Sequence, residues 1–271
     1  MRDMICEVIS SAQNPKVKRL LELQQKSQER RRSGLFVVEG RREIERCLQQ
    51  GYLVDTLFVC PEIMGQGARG EEQEMSCKRT FQVTADIYNK VAYRGGTEGM
   101  IAEVQAKQLS LGDLQLGAAP MIVVLERVEK PGNLGAVLRS ADAAGMDAVI
   151  VCDPLTDLYH PNIIRSSTGA VFSMPCVACT SEECIEFLKA KGIQILTAQL
   201  QDSHLYYDTD MTRPTAIVMG TEATGLTDQW REAADAHIRI PMLGIADSLN
   251  VSVSAAILMF EAVRQRQAKS I

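Results

Sequence analysis

What the sequence lacks narrows it first. No uninterrupted apolar run approaches the roughly 20 residues needed to cross a bilayer, and the opening MRDMICEVISSAQNP has no apolar h-region of the kind that directs secretion. A membrane-spanning or exported protein is therefore not expected. Neither GxGxxG nor GxxxxGK(S/T) follows any of the short apolar runs, which removes the ordinary dinucleotide-binding and P-loop chemistries. The three histidines, His160, His204 and His237, are scattered. The one CxxC, Cys176 to Cys179 in CVAC, has no second CxxC or HxxxH at ligand spacing. No metal site is expected, and CVAC reads as structural. No internal repeat is evident.

What is present is the balance of a soluble globular protein, 46% hydrophobic and 23% charged over 271 residues, enough for one large domain or two ordinary ones. Eight cysteines at irregular spacings, with no secretory signal, read as reduced and mostly buried thiols in a cytoplasmic protein. The net charge of -5 is unevenly spread: residues 1–46 hold eleven Lys/Arg against seven Asp/Glu, a balance of +4 that leaves -9 for the remainder. Within that head, NPKVKRLLELQQKSQERRRSG gathers Lys16, Lys18, Arg19, Lys26, Arg30, Arg31 and Arg32. Such a cluster can neutralise phosphates, and a local patch matters more to binding than the global sum. From charge alone, a solvated helix face explains it equally well.

Apolar spacing predicts a helix from Asn14 to about Arg32, ended by Gly34. LFVVEG reads as a strand, RREIERCLQQG as an amphipathic helix with Gly51 at its C-cap, and VDTLFVC as another strand. GQGARGEEQEMSCKR reads as a loop, and FQVTADIYNKVAYRGGTEGMIAEVQ as strand, helix, glycine-rich turn and strand. Periodicity lapses near SLGDLQLGAAP, which places a domain boundary between about Gln105 and Pro120 and suggests domains of 1–110 and 111–271. Beyond it, MIVVLERV, DAVIVCD, QILTAQL, TAIVMG and HIRIPM alternate with helical stretches including GAVLRSADAAG, SEECIEFLKAKG and LTDQWREAA, and VSVSAAILMFEAVRQRQ reads as a final helix. That alternation predicts an α/β domain with a parallel sheet covered on both faces, whose ligands bind beyond the carboxyl ends of the strands.

Three loops carry more glycine and polar residues than connection requires. VEKPGNLGAVLRSADAAG holds Asn133, Gly135 and Arg139, the last a permanent charge on an otherwise apolar helix. Burying it would be costly without a partner, so a structural counter-ion or a substrate should account for it. IVMGTEATGL holds Gly220, Glu222 and Gly225. IPMLGIADSLNVSVSAA holds Ile240, Pro241 and Met242, then Ser248, Leu249 and Asn250 ahead of the last helix. Singly, each is ordinary turn chemistry, and Asn250 could serve only as a helix cap. In this order, N-x-G-x-x-x-R, G-x-E-x-x-G and I-P-M with S-L-N-V-S, the set resembles the SpoU (TrmH) family of RNA ribose 2'-O-methyltransferases, of the SPOUT superfamily, over roughly residues 120–266. SAQNPKVKRLLEL followed by LFVVEGRREIERCL resembles the small L30e-like substrate-binding domain that precedes the catalytic domain in many members.

The resemblance implies a mostly parallel α/β fold closed by a C-terminal trefoil knot, S-adenosyl-L-methionine as cofactor and a homodimer. The partner it implies is structured RNA, ribosomal in preference to transfer RNA. By motif position it assigns Gly220, Ile240 and Leu249, with Thr197, to the cofactor, and Arg139 to catalysis, with Asn133, Glu222, Ser248 and Asn250 shaping its surroundings. Lys16, Lys18, Arg19, Arg30, Arg31, Arg32 and Arg41 become the RNA-binding candidates of the basic head. Because a guanidinium holds its proton tenaciously, the expected role of Arg139 is to orient a phosphate or ribose and stabilise developing alkoxide, with Glu222 positioning Arg139 or Asn250. The sequence departs from the usual G-N-E-G-x-G at Thr221 and Ala223, and SADAAG lacks the phenylalanine frequent before that glycine. An RNA-binding protein of the same fold without methyl transfer is the alternative.

Overall fold

A computed structural model describes residues 7–64, 75–93, 98–221 and 224–268. The chain divides into two compact units, one of residues up to 107 together with Tyr159–Ile164, the other of 108–158 with 165 onward.

In the first unit, β1 (Val8–Ile9) leads to α1 (Pro15–Gln25), which starts where the Asn14 side chain accepts from the Lys16 amide at 2.9 Å and Pro15 takes the first helical position. The single helix expected to Arg32 is interrupted. Lys26 is extended, and the chain restarts as α2 (Ser27–Ser33), closed by Gly34 at φ +66°. Arg30 provides the physical reason: its guanidinium folds back on the carbonyls of Leu23 (2.5 Å) and Gln24 (3.0 Å), which the end of α1 leaves without intrahelical partners. It is 5% exposed. Arg30 is therefore withdrawn from the RNA-binding candidates.

The unit continues with β2 (Leu35–Glu39), α3 (Arg41–Gln49), β3 (Val54–Val59), α4 (Pro61–Met64), β4 (Cys77–Val83), α5 (Ala85–Val91) and β5 (Met100–Gln105). The sheet runs β1-β4-β3-β5-β2, parallel from β1 to β3 and antiparallel at β5. Of the loop expected at 65–79, residues 65–74 lie outside the described residues and Cys77, Lys78 and Arg79 instead begin β4. The glycine-rich turn falls largely on 94–97, also outside them. Tyr159 stacks on Phe36 with centroids 4.2 Å apart, extending this unit's core.

The second unit contains β6 (Met121–Glu126), α6 (Pro131–Ala144), β7 (Ala148–Cys152), the part of α7 (Pro161–Ser167) from Arg165 onward, α8 (Ala170–Ser173), β8 (Cys176–Cys179), α9 (Ser181–Ala190), β9 (Gln194–Ala198), β10 (His204–Leu205), β11 (Thr215–Met219), α10 (Asp228–Ala233), β12 (Ala236–Arg239) and α11 (Val251–Ala268). Its seven strands pair in parallel throughout, in the order β10-β12-β9-β11-β6-β7-β8. β6, β7 and β11 are buried along their whole length, as strands covered on both faces must be. CVAC is the edge strand β8, unanticipated from its short mixed pattern. Trp230 is fully buried and satisfies its indole N–H on Ser181 Oγ at 3.0 Å, which in turn donates to Asp153 at 2.6 Å.

β11 enters between β6 and β9, both formed by earlier chain, and α11 then returns to pack on α6 and β11. Arg266 fixes that return. Its guanidinium donates to the carbonyls of Ala119 (2.5 Å), Arg213 (2.8 Å), Met211 (3.1 Å) and Pro120 (3.4 Å), and burial pushes its pKa down. Replacing it with methionine keeps the aliphatic stem and strands those carbonyls. Since hydrogen bonds to a charged group contribute ~1.5–3 kcal/mol each where partly buried, Arg266→Met should lower unfolding free energy in urea by about 2–3 kcal/mol. An unchanged midpoint would show that the carbonyls are equally well served by water.

Candidate active site

A cleft of about 370 Å³ opens at the carboxyl ends of β9, β11 and β12, where an open parallel sheet places its ligands. Its first wall is set by Gly220. A β-carbon built there would lie 2.3 Å from the Gly225 carbonyl carbon and 2.5 Å from its oxygen, so the chain after β11 can fold back on itself only because Gly220 has none. Thr221 and Gly225 close the turn with reciprocal amide-to-carbonyl bonds of 3.2 and 3.1 Å, and Gly225 takes φ +68°. Glu222 lies outside the described residues.

The far end of this loop is fastened by Glu126, the last residue of β6, buried at 1% exposure. Its carboxylate accepts from the Thr227 amide (2.9 Å) and hydroxyl (2.7 Å) at the start of α10. Sequence reasoning missed Glu126. The available signal was a carboxylate ending the apolar run MIVVLE.

The second wall comes from the segment between β12 and α11, where Ile240, Ser248 and Leu249 line the cleft together with Gly220. Asn250 does two things at once. Its Oδ1 accepts from the Ser252 amide (3.0 Å) and hydroxyl (2.6 Å), capping α11, and its Nδ2 donates to Asn133 Oδ1 at 3.1 Å, tying the third motif to the first. Arg139 stands on the exposed side of α6, while Val137, Leu138 and Ala141 fill the core. It makes no hydrogen bond or ion pair with the described residues. Thr197 is buried, with Oγ1 2.6 Å from His237 Nδ1, one residue before Ala198, where the cleft lining begins.

Two lining residues carry buried polar atoms that find no partner among the described residues, Gln199 Oε1 and Arg231 Nε. Unpaired polar atoms under an apolar lining are costly, so the cleft is built for a ligand with an apolar body and polar edges. No sequence motif marked either residue.

In the first unit, Lys18 is exposed and makes no contact of these kinds with the described residues, and exposed Arg31 reaches only Ser27 Oγ at 3.3 Å. Lys16 pairs with Glu7 (3.0 Å) and lies over the Phe81 ring. Arg32 pairs with Glu29 (2.7 Å), Arg41 with Glu45 (2.6 Å) and Arg19 with the buried Glu103 (3.6 Å).

Residues 120–260 match the SpoU rRNA Methylase family, and residues 14–102 match the MRM3-like substrate binding domain. The chain belongs to the SpoU rRNA methylase family. It is 30% identical over 252 residues to the 23S rRNA (guanosine(2553)-2'-O)-methyltransferase RlmP of Bacillus subtilis (strain 168), covering 93% of this chain and 97% of that protein. It is 39% identical over 193 residues to the 23S rRNA (guanosine-2'-O-)-methyltransferase RlmB of Vibrio vulnificus (strain CMCP6), covering 69% and 78%. The crystal structure of the SpoU methyltransferase AviRb from Streptomyces viridochromogenes, in complex with the cofactor AdoMet, superposes with a TM-score of 0.88 at 29% identity, covering 94% of this chain and 99% of that one.

The cleft fits S-adenosyl-L-methionine on its own terms. Gly220 lines the cleft with backbone alone, and the two polar atoms without a partner among the described residues offer an acceptor and a donor to the cofactor's hydroxyl, amine or carboxylate groups. Gly220→Ala must displace the Gly225 backbone rather than a flexible side chain. Calorimetry should therefore find S-adenosyl-L-methionine binding weakened at least tenfold, with far-UV dichroism unchanged. Wild-type affinity in Gly220→Ala would mean that this turn does not shape the cleft.

Proposed function

We propose that the protein transfers the methyl group of S-adenosyl-L-methionine to a ribose 2'-hydroxyl of ribosomal RNA. The observation that carries the reading is the shared geometry of the three motifs. Gly220, Ile240, Ser248 and Leu249 line one cleft, and Asn250 at its edge is tied to Asn133 on the helix that bears Arg139. When bound, the cofactor supplies an electrophilic methyl carbon. The chain's own residues must then hold the 2'-oxygen in line with that carbon and ease loss of its proton as the C–O bond forms. Arg139, exposed and with no counter-ion among the described residues, is assigned to orient the adjoining phosphate or ribose and to stabilise developing negative charge on the 2'-oxygen. Asn133 and Asn250 hold α6 and the start of α11 in register, with Ser248 beside them. Glu222 keeps its assigned role of positioning Arg139 or Asn250.

The first unit is assigned to RNA binding, on the strength of its match to a substrate binding domain and of exposed Lys18 and Arg31. A C-terminal knot is supported by the entry of β11 between two earlier strands and the return of α11 onto α6. A homodimer is supported by Leu243 and Ile245, 98% and 104% exposed, and by Val253 and Phe260, two turns apart on α11 and about half exposed. A cytoplasmic location is assigned from the 23S rRNA substrates named for its relatives; no described helix is long and apolar enough to cross a membrane.

Tritiated methyl S-adenosyl-L-methionine and 23S rRNA transcribed in vitro test the activity. Label should enter RNA as 2'-O-methyl nucleotides, and RNA binding with no label would favour the binding-only alternative. Arg139→Lys should lower kcat by roughly 10²-fold with little change in RNA affinity, the size typical of a lost oxyanion donor. Near-normal turnover would show that the guanidinium fork is dispensable. Lys18→Glu with Arg31→Glu should flatten the salt dependence of RNA binding by about one unit of slope per lost phosphate contact. In sedimentation, Leu243→Asp with Ile245→Asp should shift dimer to monomer.

A further inference from the structure

The CxxC does not act as a pair. Three residues apart on a strand, Cys176 and Cys179 point to opposite faces. Cys179 instead meets Cys152 and Cys184. Cys152 and Cys179 are the last residues of adjacent parallel strands and are register partners, and Cys184 lies in the first turn of α9 above them. Their three sulfur atoms all lie within 4.8 Å of one another, the one such group of metal-capable side chains among the described residues. Cys152 and Cys184 are fully buried while Cys179 is partly exposed, which gives an ion a way in.

We propose that Cys152, Cys179 and Cys184 form a binding site for a single soft, thiophilic cation, with Cu(I) the best match. Sulfur donors select soft ions. Three sulfurs around one ion at the ~2.3 Å bond length of metal thiolates stand about 3.8–4.0 Å apart, so the cluster need contract by no more than on the order of 1 Å. Among the described residues no fourth ligand joins the group. Asp153 accepts from Ser181 Oγ at 2.6 Å, and Glu183 is engaged in the Thr180 capping box at 2.8 and 2.9 Å. A three-coordinate ion therefore fits better than Zn(II), which would need water to complete four ligands. The site lies on the β7-β8 side of the sheet, across β6 from the cleft, and does not depend on the methyl-transfer reading.

The test uses the reduced full-length protein under nitrogen, titrated with Cu(I) held by the chromogenic chelator bicinchoninate. One Cu(I) per chain should be withdrawn from the chelator, with thiolate-to-metal absorption in the near ultraviolet. Cys179→Ser, at a partly exposed position that should fold normally, and Cys184→Ala should each weaken uptake at least tenfold. Cys47→Ala in the first unit should leave it unchanged, and unfolding curves check that each variant is native. Absence of uptake, or uptake undiminished in Cys179→Ser, overturns the proposal. So does cysteine-dependent uptake of Zn(II) with none of Cu(I), since that would require a fourth ligand.

Discussion

The close passage of the Gly225 backbone over Gly220 is the constraint on which the second unit depends. A turn that must return within 2.3 Å of where a β-carbon would sit has a single residue type available. Once the turn closes, the amide of Thr227 arrives at the buried carboxylate of Glu126, α10 can start, and Trp230 on that helix reaches Ser181. The cleft wall, the loop anchor and the packing of α10 on α9 therefore share one origin. The anchor is an acid buried for its hydrogen bonds, and the wall is backbone packed on backbone for want of a side chain.

Much of this was legible in sequence, and the reasons differ by element. The parallel strands announced themselves as short β-branched runs because burial on both faces leaves no room for alternation. Gly34 and Gly51 marked helix ends because the left-handed backbone they adopt, at φ +66° and +69°, is disfavoured for other residues. Asn250 was open to two readings, a cap or a site residue, and both hold because an amide has an acceptor and donors to use separately. The break at Lys26 was hidden because helical periodicity continues through it. What ends α1 is Arg30 reaching back seven residues, which no local pattern encodes.

Charge follows a division of labour that composition concealed. Arg30 and Arg266 both spend their guanidinium groups on backbone carbonyls at element ends, where several acceptors converge and only a planar multi-donor group can serve them together. Arg139 and Lys18 do the opposite, standing exposed with no such engagement among the described residues. Counting all of these as one basic population merges structural staples with charges left for a partner. The CVAC segment carries the parallel lesson for cysteine: adjacency in sequence suggested the wrong pair, and strand register brought together the right three.

The position of α11 has a consequence for synthesis. Its residues Val251, Ser254 and Leu258 form part of the cleft, and Arg266 secures the helix to carbonyls laid down as early as Ala119. On the ribosome, a nascent chain that has completed every strand of the second unit still lacks a wall of its pocket. A ligand can therefore stabilise this unit only after α11 has left the exit tunnel and docked. Until then the parallel sheet must stand without that support.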